Sequence, residues 1–95
     1  MSVYESYVSC ANPSRLMTRL CRHWGYKLTV ELSESCGSVE FPAGRCKFIV
    51  EQGLLQVSLE MPEDNQVRMQ QVVAEHLQRM AGEETLTIEW RASLE

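Results

Sequence analysis

The sequence predicts an α+β fold: a two-layer sandwich in which two helices cover one face of a six-stranded, mostly antiparallel sheet, in the order β-α-β-β-β-β-α-β. Three observations carry that prediction. Six segments alternate apolar and polar residues with the period of two of a strand, and two others carry apolar residues at helical spacing. The joints between the four central strand segments are short and hold glycine, proline and small polar residues, as consecutive antiparallel hairpins require. A meander of this kind has a single apolar face, which two amphipathic helices suffice to cover.

The elements follow in chain order. Tyr4, Ser6, Val8 and Cys10 alternate with Val3, Glu5, Tyr7 and Ser9 in a first strand rich in aromatic and β-branched residues. Asn12 before Pro13 suits a helix cap followed by proline at the first helical position, where its missing N–H is not needed. Leu16, Met17, Leu20, Cys21 and Trp24 then form one continuous stripe, with Arg15, Arg19 and Arg22 on the opposite side. Gly25 is expected to close this helix in a left-handed conformation, with Arg22 and His23 in the last turn complementing the dipole.

Four strands come next, with Leu28, Val30 and Leu32, then Val39 and Phe41, then Cys46, Phe48 and Val50, then Leu55, Val57 and Leu59 facing inward. Lys27 stands at the head of the first of them. Asp64 is the expected cap of a second helix, whose stripe is Met69, Val72, Val73, His76, Leu77 and Met80 and which ends at Gly82. "TLTIEW" closes the sheet as a last strand with Leu86, Ile88 and Trp90 on its inner face. One domain over residues 1–93 is the expectation, and Leu94 and Glu95 read as the remnant of an expression tag.

Composition bounds the function. A chain of 95 residues with a net charge of -4 and only nine Lys and Arg spread along it lacks the clustered positive charge that binds phosphate backbones, so nucleic acid is not an expected partner. No window is apolar for long enough to cross a membrane, and no basic region followed by an apolar stretch marks a secretory leader. The expected compartment is the cytoplasm. There the four cysteines, Cys10, Cys21, Cys36 and Cys46, would stay reduced, and none of them forms a C-x-x-C pair.

Few residues invite chemistry. His76 falls near the centre of an apolar stripe, where an imidazole needs a partner for a ring nitrogen or carries a desolvation cost; a backbone carbonyl would satisfy it. His23 lies on the flank of the first helix, so side-by-side helices would bring the two imidazoles together. Cys21 or Cys46 could then complete a metal set, although no H-x-x-x-H or paired-carboxylate spacing supports one. Cys21 and Cys46 occupy stripe positions and read equally well as small core residues, while Cys36 sits in an exposed turn beside Glu34, which disfavours its thiolate. Arg45, after the tight turn "FPAG", is a candidate for holding a carboxylate or phosphate. There is no phosphate loop, no nucleophile elbow, and no residue pattern that names a cofactor.

Three stretches, "LCRHWGYKLTVEL", "GSVEFPAGRCKF" and "VVAEHLQRMAGEETLTIEW", together resemble a bacterial family of small proteins, domain of unknown function 2218. The resemblance rests on Leu20, Cys21, His23, Trp24, Gly25 and Lys27, on Phe41, Pro42, Gly44 and Cys46, and on His76, Leu77, Met80, Leu86, Ile88 and Trp90. It implies one compact α+β domain with no established activity. Some relatives look like they occur joined to or beside siderophore-interacting ferric reductases, so the resemblance implies an association with iron handling. The function expected is therefore that of a non-enzymatic accessory or binding domain. A protein, a small ligand at the His23 and His76 side, and a second copy of the chain are the partners left open. The alternative is a small metalloprotein or enzyme using His23 and His76 with a cysteine.

Overall fold

A computed structural model describes residues 1–93, so the tag reading of Leu94 and Glu95 lies outside the described residues. The elements are β1 (Ser2–Ser9), α1 (Pro13–Trp24), β2 (Thr29–Leu32), β3 (Cys36–Glu40), β4 (Arg45–Glu51), β5 (Leu54–Met61), α2 (Glu63–Ala81) and β6 (Arg91–Ala92). Every strand pairing is antiparallel, and the sheet order is β2-β3-β4-β5-β1-β6. The predicted class and element order are those observed.

Register puts the predicted inner residues on one face. One row across the sheet runs Val30, Val39, Cys46, Leu59, Tyr4, and the next runs Leu32, Gly37, Phe48, Val57, Ser6. Val39, Cys46, Phe48, Leu55, Val57 and Leu59 are fully buried there, opposite Leu16, Met17, Leu20, Cys21 and Trp24 of α1 and Val73 and Leu77 of α2. Burial of each such side chain contributes about 1.5–3 kcal/mol. The outer face is polar and carries an Arg45 that reaches Glu60 on one side at 3.3 Å and Glu40 on the other at 3.9 Å. Among the described residues no helix is long and apolar enough to cross a membrane.

Backbone geometry calls for glycine at Gly53 and Gly44 for different reasons. Gly53 turns β4 into β5 with φ +68°, a left-handed conformation that side chains rarely adopt. At Gly44 a Cβ would run into the Glu60 carbonyl of β5, so only hydrogen fits between the two strands there.

Four local expectations need correction. Gly25 is right-handed, with φ -62° and ψ -15°, and the chain leaves α1 through a further turn in which Leu28 N–H donates to Trp24 O at 2.9 Å. That turn delays β2 to Thr29, so Lys27 stands outside the strand it was expected to begin. Asp64 does not cap α2: Pro62 occupies the cap, and Glu63 and Asp64 lie in the first turn, where their charge complements the dipole. None of "TLTIEW" is laddered. Its inner face is as predicted, with Leu86 buried and Ile88 and Trp90 half-buried, but backbone pairing to β1 begins only at Arg91. The reason is Gln78 of α2, whose Oε1 accepts from Leu86 N–H at 2.9 Å and whose amide donates to Glu84 O at 2.7 Å. These bonds hold the start of the segment to the helix. A polar slot of about 280 Å³ lies between it and β1, lined by Tyr7, Ser9, Thr85, Thr87, Glu89 and Arg91.

Candidate functional site

Where α1 ends, its last turn meets the second half of α2. His23 and Trp24 come from α1, Tyr26, Lys27 and Leu28 from the turn after it, and His76 from α2; together they line a groove of about 490 Å³. Ligand clefts fall in this size range, with mostly apolar walls and a few polar groups. Here the walls are three kinds of aromatic ring and one leucine.

Each ring has a structural reason to be where it is. Trp24 is the last stripe residue of α1 and only 8% exposed. It meets Phe41, from the turn between β3 and β4, edge to face, with ring centroids 5.1 Å apart at 81°. Such a pair contributes about 0.5–1.5 kcal/mol beyond the area it buries. The Trp24 centroid is also 5.1 Å from that of His76. His76 is half-buried, and its Nδ1 lies 2.7 Å from the carbonyl oxygen of Val72, one turn back in α2. A carbonyl can only accept, so Nδ1 carries the hydrogen of this bond, and in the corresponding neutral tautomer Nε2 holds the lone pair. The His23 ring lies 5.6 Å from that of His76, centroid to centroid, with 47° between their planes. Tyr26 is 89% exposed at the rim, an unusual place for an aromatic side chain in a small domain.

The structure thus brings together His23 and His76 and leaves the other candidates elsewhere. Arg45 projects from the opposite face of the sheet into its two carboxylates and does not line the groove. Cys21 and Cys46 are fully buried core residues. Burial pushes the Cys21 thiol up to about 11. It raises the Cys46 thiol further, and a neighbouring Cys21 thiolate would oppose its ionisation as well. The Cys10 thiol is raised by burial and then by the charge of Glu84. A protonated, buried thiol is a poor nucleophile and a poor ligand. Among the described residues no group of three or more His, Cys, Asp or Glu side chains gathers as a metal-binding set. Cys36 is exposed, with its sulfur 3.2 Å from Ser33 Oγ across the β2 to β3 turn.

Tyr26, Lys27 and Leu28, which line the groove, were not legible as part of a site. Their one sequence signal is the run of Trp24, Tyr26 and Lys27 around Gly25 at a helix end. The arrangement suits stacking of a flat ligand against aromatic rings, with charge from Lys27 and one free imidazole nitrogen to orient it.

The family model described as an uncharacterised protein family conserved in bacteria, domain of unknown function 2218, matches residues 5–91. Among solved structures, one determined by NMR for a Pseudomonas aeruginosa protein is similar over 96% of this chain and 96% of that one, at 37% sequence identity and a TM-score of 0.79. No curated protein matches the sequence.

Proposed function

The chain belongs to the uncharacterised bacterial family of domain of unknown function 2218, and from that premise we propose that it is a non-enzymatic accessory domain that binds a small, flat, anionic ligand. The groove between the end of α1 and α2 is the observation that carries this reading. Its volume is that of a small-molecule cleft, its aromatic walls favour a planar partner, and the charged side chain that lines it is a lysine. All four cysteines are unpaired, which supports a reducing compartment, and the cytoplasm is the one we propose. The association with iron handling that the sequence resemblance implies makes iron chelates the first ligands to test.

The test is a thermal-shift screen of ferric siderophores, flavins and simple aromatic carboxylates, since a ligand of the folded state raises the unfolding temperature. A hit is expected to lose its shift in Tyr26→Ala, a change at an 89% exposed side chain that leaves the core intact. Absence of any shift across the screen, or a shift that Tyr26→Ala leaves unchanged, removes the groove as the binding site.

A further inference from the structure

We infer that His23 and His76 form a two-nitrogen site for a divalent late transition ion of the zinc, nickel and copper class, with the remaining coordination positions filled by water or by an anionic donor. The inference names an inorganic occupant for the groove and rests on its reading as a binding site. It does not require the cysteine ligand expected from the sequence.

Four features of the site point the same way. The first is the second partner of His76. Histidines that bind metals donate their other ring N–H to a carbonyl or carboxylate, which sets the tautomer and the aim of the ligating nitrogen. The 2.7 Å bond from His76 Nδ1 to Val72 O does this and leaves Nε2 as the available lone pair.

The second is the separation of the rings. With metal–nitrogen bonds of about 2.0–2.1 Å an imidazole centroid stands about 3.2 Å from the ion, so two rings sharing an ion at angles from a right angle to a straight line have centroids about 4.5–6.4 Å apart. The observed 5.6 Å falls inside that interval.

The third is support. His76 packs on Trp24, Trp24 packs on Phe41, and His23 precedes Trp24 in the last turn of α1, so the two imidazoles come from two packed helices rather than from a loose loop. A ligand held in place by packing loses less freedom when it binds.

The fourth is charge and donor type. The groove lining contains neither a carboxylate nor a thiol. That excludes calcium and magnesium, which need oxygen ligands, and leaves the ions that imidazole suits. Lys27 in the lining opposes a dication by itself, so the ligand that completes the sphere is an anion that offsets both charges.

Calorimetric titration of the full chain with zinc and with nickel tests the inference, in the wild type and in Cys36→Ser, which removes the exposed thiol that would compete for a soft ion. Saturable binding of a single ion is expected in both. Affinity should fall about tenfold or more in His23→Gln, where the side chain is exposed and the fold is not at risk, and again in His76→Gln. In nitrogen-detected NMR of the side chains, nickel should broaden the Nε2 signal of His76 while Nδ1 keeps its proton. Failure of zinc and nickel to bind the wild type, binding that His23→Gln leaves unchanged, or binding that disappears in Cys36→Ser would each overturn the site. If the ions fail while an organic ligand still shifts the unfolding temperature, the metal inference falls alone. If both fail, the groove is not a binding site at all.

Discussion

The two helices lie on the same sheet yet are held to it by different means. In α1 every stripe residue is buried: Leu16, Met17, Leu20, Cys21 and Trp24. Its start is capped by Asn12, whose side-chain oxygen accepts from Arg15 N–H at 3.0 Å. In α2 only Val73 and Leu77 of the predicted stripe are buried, while Met69, Val72, His76 and Met80 are half-exposed. What α2 lacks in apolar burial is supplied by amides. The buried Gln66 donates to Ser2 O and to Leu59 O, each at 3.0 Å, and accepts from Gln70, while Gln78 ties down the segment beyond the helix. A helix fixed by shape seats itself fully. A helix fixed at separate points leaves a shoulder, and the groove lies at that shoulder, beside the end of the fully seated helix.

Substitutions can break this contrast. Leu20→Ala, at a fully buried position in α1, should cost about 2–5 kcal/mol in urea unfolding, by lost burial and the cavity left behind. Met69→Ala, half-exposed in α2, should cost clearly less; equal losses would show that both helices depend on apolar packing alike.

The dryness of the α1 face can be read through Cys21. Its thiol stands at about 11 in the fold against an ordinary 9.0, so the folded state favours the neutral form. The associated stability is fully present below pH 9.0 and is lost as pH rises through about 11. Urea midpoints measured from pH 8 upward should fall over this interval, and less steeply in Cys21→Ala. An alkaline fall of the same steepness in both proteins would mean that the face is wet.

Gln66→Leu keeps the side chain's bulk and strips its donors from two backbone carbonyls, so it should cost about 1–3 kcal/mol. Hydrogen exchange should show the first turns of α2 opening more than α1. If the variant is as stable as the wild type, the amide anchors are ornamental. Asn12→Ala should cost about 1 kcal/mol, measured by the same unfolding, and its effect should be confined to the start of α1.

The strands and helices were legible because binary pattern is a local property: the alternation that put Cys46, Phe48, Val57 and Leu59 on one face depends only on the pleat. The errors fell where a single distant group decides. "TLTIEW" carries a strand pattern, but the side chain of Gln78 takes the Leu86 N–H before β1 can. Gly25 looked like a left-handed stop, yet the chain has a further turn to make before β2. Asp64 had the chemistry of a cap and stands two residues past the cap that Pro62 occupies. The candidate site was half legible. His76 stood out as an imidazole on an apolar stripe that a backbone carbonyl would satisfy, and His23 as the one left without a sufficient local task. Tyr26, Lys27 and Leu28 did not, since nothing along the chain marks a residue as lining a groove between two distant elements.

By itself the sequence determined the order of elements, the inward face of each, and the cap at Asn12, all matters of spacing within a few residues. Tertiary structure alone decided that α2 would sit incompletely over the sheet, that Arg45 would face Glu40 and Glu60, and that His23 would lie 5.6 Å from His76. Distances between helices are set by the summed shapes of the side chains packed beneath them, and no periodicity in a single helix encodes that sum.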